Sequence, residues 1–135
     1  MIDTAPEHSC GVSVKTAVII LFHGSRAEGA GDVVRRITSE VRQRGGYDLV
    51  EEAFLRHAKP TLMDAIQRCV ELQAEKIVIV PFFLQLGTHV TADIPGMVEE
   101  ARKRYPQTTI DAADAVGLHP LMADIVLDLV EKAKR

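Results

Sequence analysis

The chain has 135 residues, 47% of them hydrophobic and 26% charged, with a formal net charge of −3 at pH 7. This length suits one domain around a single core, and this balance excludes the low-hydrophobicity, high-charge composition of disordered chains. There is no basic footprint for nucleic acid, and no apolar run reaches the roughly 20 residues that span a bilayer, so neither nucleic acid nor membrane is an expected partner.

Residues 1–14 lack the basic start and continuous apolar stretch of a secretory signal, and are read as a flexible tail before one α/β domain over 15–135. Cys10 and Cys69 form neither a CxxC pair nor a disulfide framework, which makes the cytoplasm the expected compartment. Ala17 to Phe22 (AVIILF) is a continuous apolar run, the pattern of a central parallel strand buried on both faces. Val33, Val34, Ile37 and Val41 then repeat at helical spacing until Gly45 and Gly46 stop the helix. Leu49 to Leu55 is the second strand, with Glu51 and Glu52 sent to opposite faces by strand alternation. Pro60 and Thr61 open a helix with Leu62, Ile66, Cys69 and Val70 on one face.

The third strand is read over Ile77 to Leu84 (IVIVPFFL), ended by Gln85 and Gly87. Asp93 is the expected N-cap of the next helix, with Pro95 in its first turn and Ile94, Met97, Val98, Ala101 and Tyr105 as its buried stripe. Thr108 to Ala113 is a weaker fourth strand, expected near an edge. The last helix, from Pro120 to Lys132, is apolar over more of its circumference than one sheet contact requires, so part of it is expected to face a partner subunit. Strands alternating with helices imply right-handed crossovers: a doubly wound, mainly parallel four-stranded sheet with helices on both faces, like half of a flavodoxin-like fold.

In such sheets ligands bind beyond the carboxyl ends of the strands, near the point where the strand order reverses. His23 follows the first strand directly and His89 follows the third after a short connection. With strand order 2-1-3-4 both leave from the same edge, and two neutral imidazoles there can hold iron, cobalt, nickel or zinc. A fixed structural metal usually takes four protein ligands, so a site with two is suited to passing its metal on. The alternative for each histidine alone is a strand cap or a bond to a neighbouring carbonyl.

HGSR at 23–26, VEEAFL at 50–55 with KPTL at 59–62, IVIVPFFLQLGTHV at 77–90, DIP at 93–95 and GLHP at 117–120 follow one another in this order. With them the sequence resembles the small sirohydrochlorin chelatases, class II tetrapyrrole chelatases of cobalamin and siroheme pathways, from about Ala17 to Val130. The resemblance implies a chelatase-type doubly wound sheet, a lyase-type metal insertion into sirohydrochlorin or a close relative, and His23 and His89 as the metal-binding, catalytic pair. It implies no cofactor beyond the substrate metal (Co2+, Fe2+ or Ni2+, cobalt first among them). Because larger members carry two such domains across a cleft, it also implies a homodimer that rebuilds the cleft. In this reading the two histidines hold the ion and accept protons from the pyrrole nitrogens. Ligating histidines must be neutral, so metal binding should weaken in acid.

Ser25, Arg26, Phe83, Leu84, Gly87, Thr88 and His119 are the candidate substrate-binding residues. Ser25 and Arg26 suit a ligand carboxylate, while His119 either enters the cleft or caps the last helix. Phe82 and Leu86 are further candidates to line the cleft, and Arg56 and Lys59 to meet carboxylates at its rim. Arg56 stands where many relatives carry Glu, with His57 after it; the missing carboxylate keeps open a second reading, a non-catalytic tetrapyrrole or metal carrier. Gly24, Gly29 and Gly31 do not have dinucleotide-fingerprint spacing.

Overall fold

Strand β1, Thr16–Phe22, is buried along all of Ala17 to Phe22, as its unbroken apolar run requires. It lies second in a four-stranded sheet of order β2-β1-β3-β4, with β2 at Leu49–Phe54, β3 at Lys76–Pro81 and β4 at Thr109–Ala112. All three pairings are parallel, with Leu21 opposite both Ala53 and Pro81. This is the order under which the segments following β1 and β3 leave from the same edge. The fold comes from a computed structural model, described for residues 14–24, 29–85 and 87–134, with residue 30 and residues 88–91 described by backbone only.

Alternation along β1 divides the core. Ala17, Ile19 and Leu21 join Ile77, Ile79 and Ile110 under helices α2 (Leu62–Glu71) and α3 (Thr88–Arg104). Val18, Ile20 and Phe22 join Val50 and Val34 on the opposite face, under α1 (Ala30–Gly45). Each fully buried Ile or Leu contributes about 1.5–3 kcal/mol relative to an exposed one, so both layers are needed to hold the central strand. Helix α1 ends at Gly46, whose φ of 71° is the left-handed turn that glycine adopts readily. Helix α2 starts at a capping box: the Asp64 N–H donates to the Thr61 hydroxyl, and the Thr61 N–H donates to the Asp64 carboxylate. Glu51 and Glu52 do diverge. Glu51, paired with Ile19, meets Arg68 of α2 at 3.4 Å, whereas Glu52 is paired with Ile20 of the opposite core face.

Two boundaries differ from the sequence expectation by more than one residue. Strand β3 stops at Pro81 instead of Leu84. Proline has no N–H to give the ladder, but β4 pairs only as far as Ile79, with the Ala113 N–H donating to the Ile79 carbonyl, so Pro81 sits past the point where a donor is needed. Phe82 and Phe83 therefore leave the sheet: Phe82 packs on Phe22 with ring centroids 5.3 Å apart, and Phe83 turns into the core on the opposite face.

Asp93 is not an N-cap either. Helix α3 begins at Thr88 after Gly87, whose extended backbone (φ −72°, ψ 162°) leads into it, and Pro95 lies in the helix interior. The apolar stripe was read correctly, since Ile94, Val98 and Ala101 are buried and Met97 and Tyr105 pack on the same core.

Beyond β4 a 3-10 turn at Val116–Leu118 leads to helix α4, Leu121–Ala133, one residue on from the expected span. No residue of α4 is buried. Among the described residues no helix is long and apolar enough to cross a membrane.

Candidate functional site

His23 is the first residue after β1, and its position is fixed by backbone from the neighbouring strand. The Leu55 N–H donates to the Phe22 carbonyl and the Arg56 N–H to the His23 carbonyl, both at 2.9 Å, so the β1–β2 ladder runs two residues past the strand ends. Gly24 closes the turn at φ +94°, and a Cβ there would stand 1.7 Å from the Arg56 carbonyl oxygen. Only glycine fits. The HG pair thus ends the strand and clears room for the second chain segment to lock the histidine backbone.

The ring of His23 is exposed, and it stands edge-on to Phe83 with centroids 6.1 Å apart and planes at 85°. Its Nδ1 lies 3.2 Å from the Gly24 carbonyl oxygen. A carbonyl can only accept, so this contact assigns the hydrogen to Nδ1 and the lone pair to Nε2, the tautomer a metal ligand needs.

His119 carries the opposite tautomer. The Leu121 N–H donates to its Nδ1 at 3.1 Å, which makes Nδ1 the acceptor and puts the hydrogen of the neutral ring on Nε2. His119 stands one residue before Pro120, the N-cap of α4, and accepts the N–H of the helix's first residue. Gly117 is pressed on Leu84, where a Cβ would come within 2.2 Å of the Leu84 carbonyl oxygen, and its N–H donates to the Phe83 carbonyl at 2.9 Å. The turn carrying His119 is therefore fastened to the segment leaving β3.

The connection after β3 departs from the same sheet edge as His23, because Leu21 and Pro81 are paired neighbours and the Phe82 N–H donates to the Leu21 carbonyl at 2.7 Å. His89 is in the first turn of α3 and not in a loop. The side chains of His89 and Thr88 lie outside the described residues, as do Ser25, Arg26 and Leu86. Among the substrate-binding candidates, Phe83 is buried, Gly87 is the N-cap of α3, and Leu84 is 64% exposed. His57 is exposed at φ 64° and Arg56 is exposed. Among the described residues no group of three or more His, Cys, Asp or Glu is arranged to hold a metal.

Sequence reasoning missed the part played by the Arg56 backbone in fixing His23. The signal was present in the glycine after His23, one residue past a central strand, where tight approach by a neighbour is a standard reason for glycine.

A family model described as CbiX matches residues 17–133. The chain belongs to the CbiX family. Among its relatives is the chloroplastic sirohydrochlorin ferrochelatase of Arabidopsis thaliana, 31% identical over 121 residues that cover 90% of this chain and 54% of the relative. The sirohydrochlorin cobaltochelatase of Methanopyrus kandleri is 31% identical over 137 residues, covering 87% of this chain and 96% of the relative. The structure of the sirohydrochlorin chelatase SirB from Bacillus subtilis subspecies spizizenii in complex with cobalt superposes with a TM-score of 0.79 at 25% identity. That match covers 88% of this chain and 51% of SirB. The chain thus spans about half the length of some relatives and nearly all of another.

Proposed function

We propose that this chain inserts a divalent metal ion, cobalt before iron or nickel, into sirohydrochlorin or a closely related tetrapyrrole, with His23 and His89 as the metal-binding pair. The observation that carries the reading is the His23 ring, exposed at the carboxyl end of the central strand with Nδ1 against the Gly24 carbonyl, which leaves the lone pair on Nε2. Membership of the CbiX family supports the substrate class, since the relatives compared are named for sirohydrochlorin.

Insertion requires an ion held by few protein ligands, an exposed face of the macrocycle, and acceptance of two pyrrole protons. The His23 imidazole supplies a neutral nitrogen donor, and an imidazole released by the departing metal is itself a proton acceptor near neutrality. Leu84, exposed on the segment that leaves β3, is the apolar candidate to meet the macrocycle, while Phe83 backs the His23 ring from the core. The Nε2–H of His119 is a donor, suited to a ring carboxylate and not to the metal. A homodimer supplies the facing lobe, and cytoplasm is the working compartment.

The test is an insertion assay with sirohydrochlorin and Co2+, Fe2+ and Ni2+ in parallel, followed by the absorbance change of the macrocycle. Acceleration over the protein-free rate, fastest with cobalt, is expected. Tight binding of the tetrapyrrole without acceleration establishes the carrier reading, which Arg56 in place of a carboxylate favours.

A further inference from the structure

In the proposed insertion the two pyrrole protons do not leave on equal terms. While the ion sits on a histidine, that ring's lone pair is in the metal bond and its other nitrogen already carries hydrogen, as Nδ1 of His23 does against the Gly24 carbonyl. A ligating imidazole therefore accepts nothing until the ion has left it. The ion, in turn, cannot bond a pyrrole nitrogen until that nitrogen gives up its hydrogen. The second proton has an acceptor in the imidazole that the metal vacates. The first calls for a base that holds no metal.

The loop after β2 offers one. The Leu55 and Arg56 N–H groups donate to the Phe22 and His23 carbonyls, and the Phe54 N–H donates to the Pro60 carbonyl, all at 2.9 Å. Thr61 then bridges back to Phe54 and caps α2. Only His57, Ala58 and Lys59 lie between Arg56 and Pro60, so His57 stands one peptide unit past the backbone that locks the His23–Gly24 turn. Its φ is 64°, in the left-handed region that an L residue enters at a cost. Packing does not offset that cost: the ring is exposed and makes no hydrogen bond, ion pair or ring contact among the described residues. A strained position held by its surroundings, with a polar side chain that has no structural partner, points to function. Arg56 and Lys59 carry donors only, so His57 is the base of this loop.

We propose that His57 takes the first pyrrole proton, as a catalytic residue outside the metal-binding pair. The inference rests on the insertion reading above and adds a named acceptor to it. In this step a pyrrole N–H bond breaks, its electron pair stays on the pyrrole nitrogen and then bonds the ion, and the proton goes to the free imidazole nitrogen of His57. The departing ion releases His23 and His89, one of which takes the second proton, so two protons leave the macrocycle for each ion that enters. The exposed His57 imidazolium passes its proton to water.

The test is His57→Asn, because asparagine shares the tolerance of histidine for left-handed backbone but has no basic nitrogen. Insertion of Co2+ into sirohydrochlorin is followed at saturating metal and macrocycle, Co2+ affinity is measured separately by titration, and the urea midpoint confirms folding. The expected result is a kcat lower by about a hundredfold with Co2+ affinity unchanged. Free imidazole, at concentrations that leave the unaltered chain's rate as it is, should restore part of the lost kcat. A kcat within about twofold of the unaltered chain's overturns the assignment. So does a fall in Co2+ affinity, which makes His57 a metal ligand, and so does a lost kcat that imidazole leaves unrestored, which makes its role structural. The insertion reading stands in all three cases. It fails, and the assignment with it, if the unaltered chain does not accelerate insertion.

Discussion

Gly24 lies against the Arg56 carbonyl oxygen so closely that a Cβ would be 1.7 Å from it, while the Arg56 N–H holds the His23 carbonyl at 2.9 Å. The strand end that carries the proposed metal ligand is thus set by backbone contacts alone. Gly24→Ala meets both a backbone clash and a φ of +94°, which costs an L residue about 1–2 kcal/mol even where space exists. The expected outcome is a loss of at least about 2 kcal/mol in urea unfolding together with a loss of metal affinity of tenfold or more. Unchanged affinity in a folded variant would show that the turn does not position His23.

The two histidines near this edge should respond differently to removal, because their rings have opposite tautomers. His23→Ala leaves packing intact, since the ring is exposed, and should reduce insertion by two orders of magnitude or more with an unchanged unfolding midpoint. His119→Ala removes the acceptor of the Leu121 N–H, a capping loss of about 1 kcal/mol. Its metal affinity should stay as before, read by titration with Co2+. A fall in metal affinity in His119→Ala equal to that of His23→Ala contradicts the assignment.

Much of this was legible in the sequence, and the failures share a cause. AVIILF could only be a strand buried on both faces, and the spacing of Val34, Ile37 and Val41 could only be one helix stripe; burial patterns of that strength survive any context. Proline was the source of both misplaced boundaries. Pro95 resembles a first-turn residue, yet it is accommodated inside α3, while β3 ends at Pro81 within an apolar run that gave no sign of a stop. Tertiary pairing decides these, since it is the end of β4 that frees Pro81 from donating. The contact of Arg56 with His23 joins residues 33 apart through neighbouring strands, so spacing alone could not reveal it.

Acid should loosen α2 in a defined direction. The Thr61 N–H, and then the Thr61 hydroxyl, hold the Asp64 carboxyl below its ordinary value of 3.8. A carboxyl lowered by folding contributes stability that is present above the unfolded value and is lost as pH falls through the folded one. Asp64→Asn should therefore lower the urea midpoint at pH 7 and bring it closer to that of the unaltered chain at pH 3. Thr61→Ala should cost about 1 kcal/mol at neutral pH. Parallel midpoint-against-pH curves for Asp64→Asn and the unaltered chain would rule out the box as the acid-sensitive element.

Cys69 faces the core between α2 and the sheet, and burial pushes its thiol up to about 11. The thiolate is the nucleophile, so Cys69 should resist iodoacetamide at pH 8 in the folded chain and react at the rate of a free thiol in urea. Labelling followed by peptide mass spectrometry distinguishes the two. Fast labelling without denaturant means that α2 opens locally far more often than its burial implies.

Arg56 gives the sharpest test of how protons leave the macrocycle. Its backbone holds His23 and its exposed side chain is in no ion pair among the described residues, so exchanging the side chain leaves the frame intact. In the proposed mechanism a carboxylate at this position, on the backbone that holds His23, relays the protons assigned to His23 and His89. Arg56→Glu should thus raise the insertion rate several-fold at saturating metal, with little change in stability, because surface charge changes usually fall within about 0.5 kcal/mol. It should also weaken the hold on a polycarboxylate macrocycle, since a cation is replaced by an anion. The two effects separate in steady-state kinetics, where kcat rises and KM for the tetrapyrrole rises with it. A lower kcat in the folded variant would mean that the guanidinium itself assists insertion, by holding the ring carboxylates while the metal moves.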